Sequence, residues 1–248
     1  MIMTLLGLET LTWILVALLT IAVPLMGRAD LRSLRQALDH GDPDARPRFY
    51  ERAVLFQWGL TLLLAVIWVA TGRGLGEVGL IPRFGFWAIF FGALAIAATV
   101  GFVWRVRRAT NDPEQLRGVR EQLDTLEIVA PHTDRELTRF GWLSITAGIC
   151  EEFIYRGILM GLLASSLGIW PAILISSVVF GIGHSYQGPV GVLRTGLVGL
   201  VMAIVVALTG SLFIAMAAHA AIDLSQGRML HAAVDPQLGI DREALEAA

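Results

Sequence analysis

Gly148-Ile149-Cys150-Glu151-Glu152-Phe153-Ile154-Tyr155-Arg156-Gly157 sets two carboxylates and a guanidinium inside a run, residues 140–166, that otherwise reads as a membrane-spanning helix. An ionisable side chain in hydrocarbon is costly, so it is kept for function and faces a partner or a water-filled cavity. Glu151 falls about 11 residues into the run, or ~16 Å at 1.5 Å per residue, too deep for a charged helix end. Outward from this stretch, two more apolar runs carry charge: Phe180-Gly181-Ile182-Gly183-His184 and His219-Ala220-Ala221-Ile222-Asp223. The 248-residue chain is 55% hydrophobic and 16% charged, against about a quarter charged in soluble domains. The expected fold is an all-α polytopic membrane protein.

A membrane helix needs about 20 mostly apolar residues. Runs 3–26, 52–71, 84–104 and 140–166 meet this, and 169–185, 190–209 and 211–226 are shorter or broken by Gly and Pro, giving about seven spans. Residues 27–51 carry Arg28, Arg32, Arg35, Arg46 and Arg48. Residues 105–139 carry Arg105, Arg107, Arg108, Arg117, Arg120, Arg135 and Arg139. The positive-inside rule puts both segments in the cytoplasm, with the N-terminus outside and the C-terminus inside. Met1–Met26 lacks the positive n-region of a cleaved signal peptide and reads as a retained first span. The organisation expected is N-terminal spans with two Arg-rich loops over 1–137, a catalytic core over 138–227 and a short tail over 228–248. Leu116, Val119, Leu123, Leu126 and Ile128 predict an amphipathic helix over 114–129, lying on the membrane or packed on the bundle.

Every basic residue is Arg, and no basic block with interleaved aromatics suggests nucleic acid. Cys150 is the one cysteine, which excludes an internal disulfide and a cysteine metal cage; it reads as a small apolar filler.

The charged motifs suit acid/base hydrolysis. Glu152 and Arg156 are four apart and share a helix face, where an ion pair shelters both charges. Glu151 projects roughly 100° away and is the freer carboxylate, a candidate general base. Phe180 shares a face with His184 and can wall its imidazole. His219 and Asp223 are also four apart: the pair either serves a reacting oxyanion or a ligand, or ties two helices together. The predicted topology lets all three motifs meet in the cytoplasmic half of the bilayer. No His-Glu-x-x-His and no Gly-x-Ser-x-Gly occurs, which argues against a zincin and a serine elbow.

Glu-Glu-x-x-x-Arg, Phe-x-x-x-His and His-x-x-x-Asn/Asp, in this order over residues 138–227, resemble the CPBP family, the type II CAAX prenyl endopeptidases and their bacterial, bacteriocin-processing relatives. Gly-His-Ser-Tyr-Gln-Gly at 183–188 looks like the bacterial members. The resemblance implies that Glu151 and His184 activate water, that His219 and Asp223 stabilise the oxyanion, and that Glu152, Arg156 and Phe180 support the site. Asp223 stands where the prenyl peptidases carry Asn; an ionised Asp cannot donate to an oxyanion, so it can instead orient His219. The family is also described as metalloprotease, and Glu151, His184 and His219 could supply three ligands to Zn²⁺; water activated by Glu and His alone needs no metal. The expected function is an intramembrane endopeptidase of a bacterial cytoplasmic membrane, acting on a protein or peptide in or near the bilayer. The alternatives are a non-catalytic membrane scaffold or immunity protein with the same fold, and, ranked last, a transporter using the charges as a proton relay.

Overall fold

The computed structural model describes residues 2–82, 84–121, 123 and 126–234, and among them there are helices and no strand. The first rod is α1 (Ile2–Ala17), a π-helical turn (Leu18–Ala22) and α2 (Val23–Asp39). Pro24 accounts for the wide turn: it has no N–H to give the preceding turn, and Val23 N–H bonds back to Leu18 O instead. α3 (Ala45–Ala70) and α4 (Phe86–Thr110) follow as single helices, and α5 (Pro113–Glu121) and α6 (Leu126–Val129) are short. α7 (Asp134–Glu152) opens on a capping box, with Glu136 N–H donating to Thr133 Oγ1 and Thr133 N–H to Glu136 Oε2, satisfying donors that a helix start otherwise leaves bare. It runs through a second π-helical stretch (Phe153–Leu159) into α8 (Met160–Leu167). The rest is α9 (Ile169–Gly183), a 3₁₀ turn, α10 (Gly188–Thr209) and α11 (Leu212–Val234).

The described helices thus stack as rods close to the seven expected apolar runs. Four are long and apolar enough to cross a membrane: Thr10–Asp39, Ala45–Ala70, Phe86–Thr110 and Ser185–Thr209. Of the others, α9 has only 15 residues, about 22 Å at 1.5 Å per residue, and the α7–α8 rod and α11 carry the charged motifs. Trp87, Leu94, Val100, Leu193 and Val201 are exposed, an outside as apolar as the inside. The core gathers Leu159, Leu162, Leu163, Phe180, Ala203, Leu212 and Ala215.

The expected single helix over 114–129 does not form. Leu123 is not helical, and it lies between α5 (Pro113–Glu121) and the separate turn that begins at Leu126. Leu116 and Leu123 are buried against Ala232, Ala233 and Val234 at the end of α11, and tertiary packing decides here over helical periodicity. α11 itself continues to Val234; residues 235–248 of the expected tail lie outside the described residues.

The two Arg-rich segments touch. Arg46 Nε donates to Ile128 O at 3.0 Å and Tyr50 Oη to Val129 O at 2.9 Å. Arg135 pairs with Asp44 and Arg139 with Glu51. Both segments therefore sit at one end of the bundle. Close by, burial and then the charge of Arg46 hold the His132 imidazole below its ordinary range.

Candidate active site

α7 packs mainly on α11 and α3, and α9 on α10. A Cβ on Gly148 would come within 2.8 Å of Met216 O and the Ala220 nitrogen. Only a glycine lets α7 and α11 cross that closely, and this crossing brings the first and third motifs together.

Successive residues leave a helix about 100° apart, and Glu151 and Glu152 enter different surroundings. Glu152 is 0% exposed. Its Oε1 accepts from Arg156 Nη1 at 2.9 Å and from His219 Nδ1 at 2.8 Å. Arg156 lies on the second π-helical stretch, all seven of whose residues are buried. Its guanidinium carbon sits 4.1 Å from the Phe180 ring centroid, a cation–π contact. Phe180 also meets the rings of His184 at 4.7 Å, Tyr155 at 5.0 Å and His219 at 5.9 Å, so it touches members of all three motifs. α10 closes over this cluster at Gly199, where a Cβ would lie 2.7 Å from Arg156 Nη2 and 2.8 Å from Phe180 Cδ1.

Glu151 turns the other way. Its Oε1 accepts from Gln57 Nε2 of α3 at 2.9 Å. Its Oε2 lies 3.7 Å from His184 Nε2, and no donor among the described residues reaches it. His184 Nδ1 is 2.9 Å from Phe180 O. A carbonyl only accepts, so Nδ1 carries the hydrogen, and in the neutral ring Nε2 holds the lone pair. One side-chain bond to a carbonyl of α9 thus aims a basic nitrogen at the free oxygen of Glu151.

Both groups open onto a cavity of about 640 Å³ that Gln57, Tyr155, Tyr186 and Asp223 also line. Met26 and Phe56 make its apolar wall, and Asp30 and Arg52, joined by an ion pair at 2.7 Å, lie along it. His219 is buried and is not part of this lining. It stands behind Asp223, with Nε2 3.5 Å from Asp223 Oδ2. His219 thus stands between two carboxylates, Glu152 and Asp223.

Zn²⁺ on Glu151, His184 and His219 does not fit this arrangement. His219 commits Nδ1 to Glu152 and turns Nε2 to Asp223, while Glu151 and His184 face each other elsewhere. Among the described residues no group of three or more His, Cys, Asp or Glu is placed to hold a metal ion. Cys150 is buried beside Glu151.

Gln57 is the site residue that motif reading misses. Its signal is a lone amide in the apolar run 53–70, one of two polar side chains there with Thr61.

The chain matches no curated protein and no solved structure. Residues 134–225, which hold all three charged motifs, match the family model described as type II CAAX prenyl endopeptidase Rce1-like.

Proposed function

We propose that the protein is an intramembrane endopeptidase in which Glu151 and His184 together activate water. The observation that carries this is the facing of Glu151 Oε2 and His184 Nε2, two acceptors 3.7 Å apart beside one cavity. That separation is too long for a direct hydrogen bond. A water at the apex of a triangle on this base, about 2.8 Å from each, donates one hydrogen to each. As its oxygen forms a bond to the carbonyl carbon of a substrate peptide, its proton passes to the Glu151–His184 pair. The tetrahedral intermediate then breaks its C–N bond, and the same proton goes to the leaving amine. Asp223, beside the cavity and as a carboxylate unable to donate to an oxyanion, lies against His219, which in turn donates to Glu152, the partner of Arg156.

Cleavage of a quenched fluorogenic peptide library by the detergent-purified protein tests the reading. Cleavage that survives a strong chelator is the expected result, since the donor set forms no metal cage. Cleavage lost to chelator and restored by Zn²⁺ would overturn the metal-free mechanism. A protein that cleaves nothing would favour the scaffold alternative.

The reading places seven spans in a bacterial cytoplasmic membrane with residues 27–51 and 105–139 inside. Their mutual contacts and the twelve arginines they carry support it, by the positive-inside rule. Because Cys150 is buried, an introduced Asn111→Cys gives a clean label site. An impermeant maleimide outside intact cells should leave it unlabelled, and labelling from outside would reverse the orientation.

A further inference from the structure

We infer that Gln57, contributed by α3 from outside the family-matched segment, is the residue that positions Glu151 for catalysis. The inference rests on the peptidase reading and deepens it. Gln57 Nε2 donates to Glu151 Oε1 at 2.9 Å. This fixes which carboxylate oxygen is engaged and leaves Oε2, with no other donor among the described residues, turned to His184. Without Gln57, the carboxylate is free to rotate about its last torsion, which is broad and roughly two-fold, and to leave the orientation that faces His184.

The other end of the amide supports this assignment. Gln57 Oε1 is buried and has no hydrogen-bond partner among the described residues. A buried unpaired acceptor is unfavourable, and an apolar side chain of the same length would fill the place at lower cost. What the amide supplies and an apolar chain cannot is a hydrogen bond to a charged acceptor, among the stronger kinds. Phe56 and Leu60 beside it line the same cavity, so α3 forms one wall of the site as well as a strut against α7. The N-terminal half, in which no motif is recognised, thereby enters the chemistry through one side chain.

The competing account is a plain interhelical bond that ties α3 to α7. Gln57→Met separates the two, measured with the full chain in detergent on a fluorogenic peptide that the wild type cleaves. A positioning role predicts kcat down about tenfold to a hundredfold, as small misplacements of a reacting group do, with KM within about twofold because the bond that is lost is to Glu151 and methionine keeps the wall of the cavity filled. An unchanged kcat overturns the inference. So does a loss of activity that only tracks a loss of folded protein, the folded remainder being fully active. A second arm does not depend on activity: melting temperatures of wild type, Gln57→Met, Glu151→Ala and the double variant. Non-additive shifts are expected for residues in contact, and additive shifts overturn the pairing whether or not any peptide is cleaved. Non-additive shifts in a wild type that cleaves no peptide would sink the peptidase reading alone and leave the Gln57–Glu151 pair standing.

Discussion

Glu151→Gln should cut kcat for peptide cleavage by about 10²–10⁴-fold, the usual contribution of a positioned general base, while the protein melts close to the wild type. The two results are expected together because of where the side chain sits. The glutamine keeps the size of the carboxylate and an acceptor for Gln57 Nε2, so the contact at 2.9 Å survives. What it loses is the second oxygen as a proton acceptor opposite His184 Nε2. His184→Ala should give a similar loss, and the double variant little more, since residues that act as a unit are grossly non-additive. Full activity in Glu151→Gln would show that the carboxylate is not the base and that the cavity serves some other chemistry.

Arg156→Met should do the opposite, unfolding the bundle before its chemistry can be measured. Glu152 and Arg156 are both 0% exposed in their side chains, and breaking such a pair by removing one partner costs about 3–5 kcal/mol. The methionine leaves Glu152 with His219 alone and takes the cation from the Phe180 ring. A second substitution makes the test specific. Glu152→Gln placed on Arg156→Met removes the uncompensated charge, and the pair of changes should recover much of the lost stability, because neutral replacements of buried ion pairs are often tolerated. Unfolding in detergent measures both. A single variant as stable as the wild type would mean that water already reaches Glu152.

The two predictions separate the neighbouring carboxylates by role, and that separation was legible in the spacing. Residues 151, 152 and 156 on a helix give one carboxylate paired with the arginine and one turned away, which is the arrangement observed. The apolar runs likewise lie close to the observed rods, since an apolar run that long must satisfy its backbone internally in a membrane and does so as a helix. Other features depend on contacts between distant segments. Nothing near residue 57 announces Glu151, 94 positions away. The interruption at Leu123 follows from the seat that α11 offers Leu116 and Leu123. The pairing of His219 and Asp223 left open which way the imidazole turns, and only the position of Glu152 decides that Nδ1 points away from the cavity.

The π-helical stretch Phe153–Leu159 joins two helical frames. A π-turn is an α-turn with one residue added, so the helix before it and the helix after it are out of phase by about 100°. Upstream, the phase is set by α11, which must receive Glu152. Downstream, it is set by the core that must receive Leu162 and Leu163. Removing one residue from the stretch would leave an unbroken helix of ordinary pitch, yet no rotation of that helix could satisfy both neighbours. A change in length between residues 153 and 159 is therefore expected to put either Glu152 or Leu162 and Leu163 out of register with its neighbours.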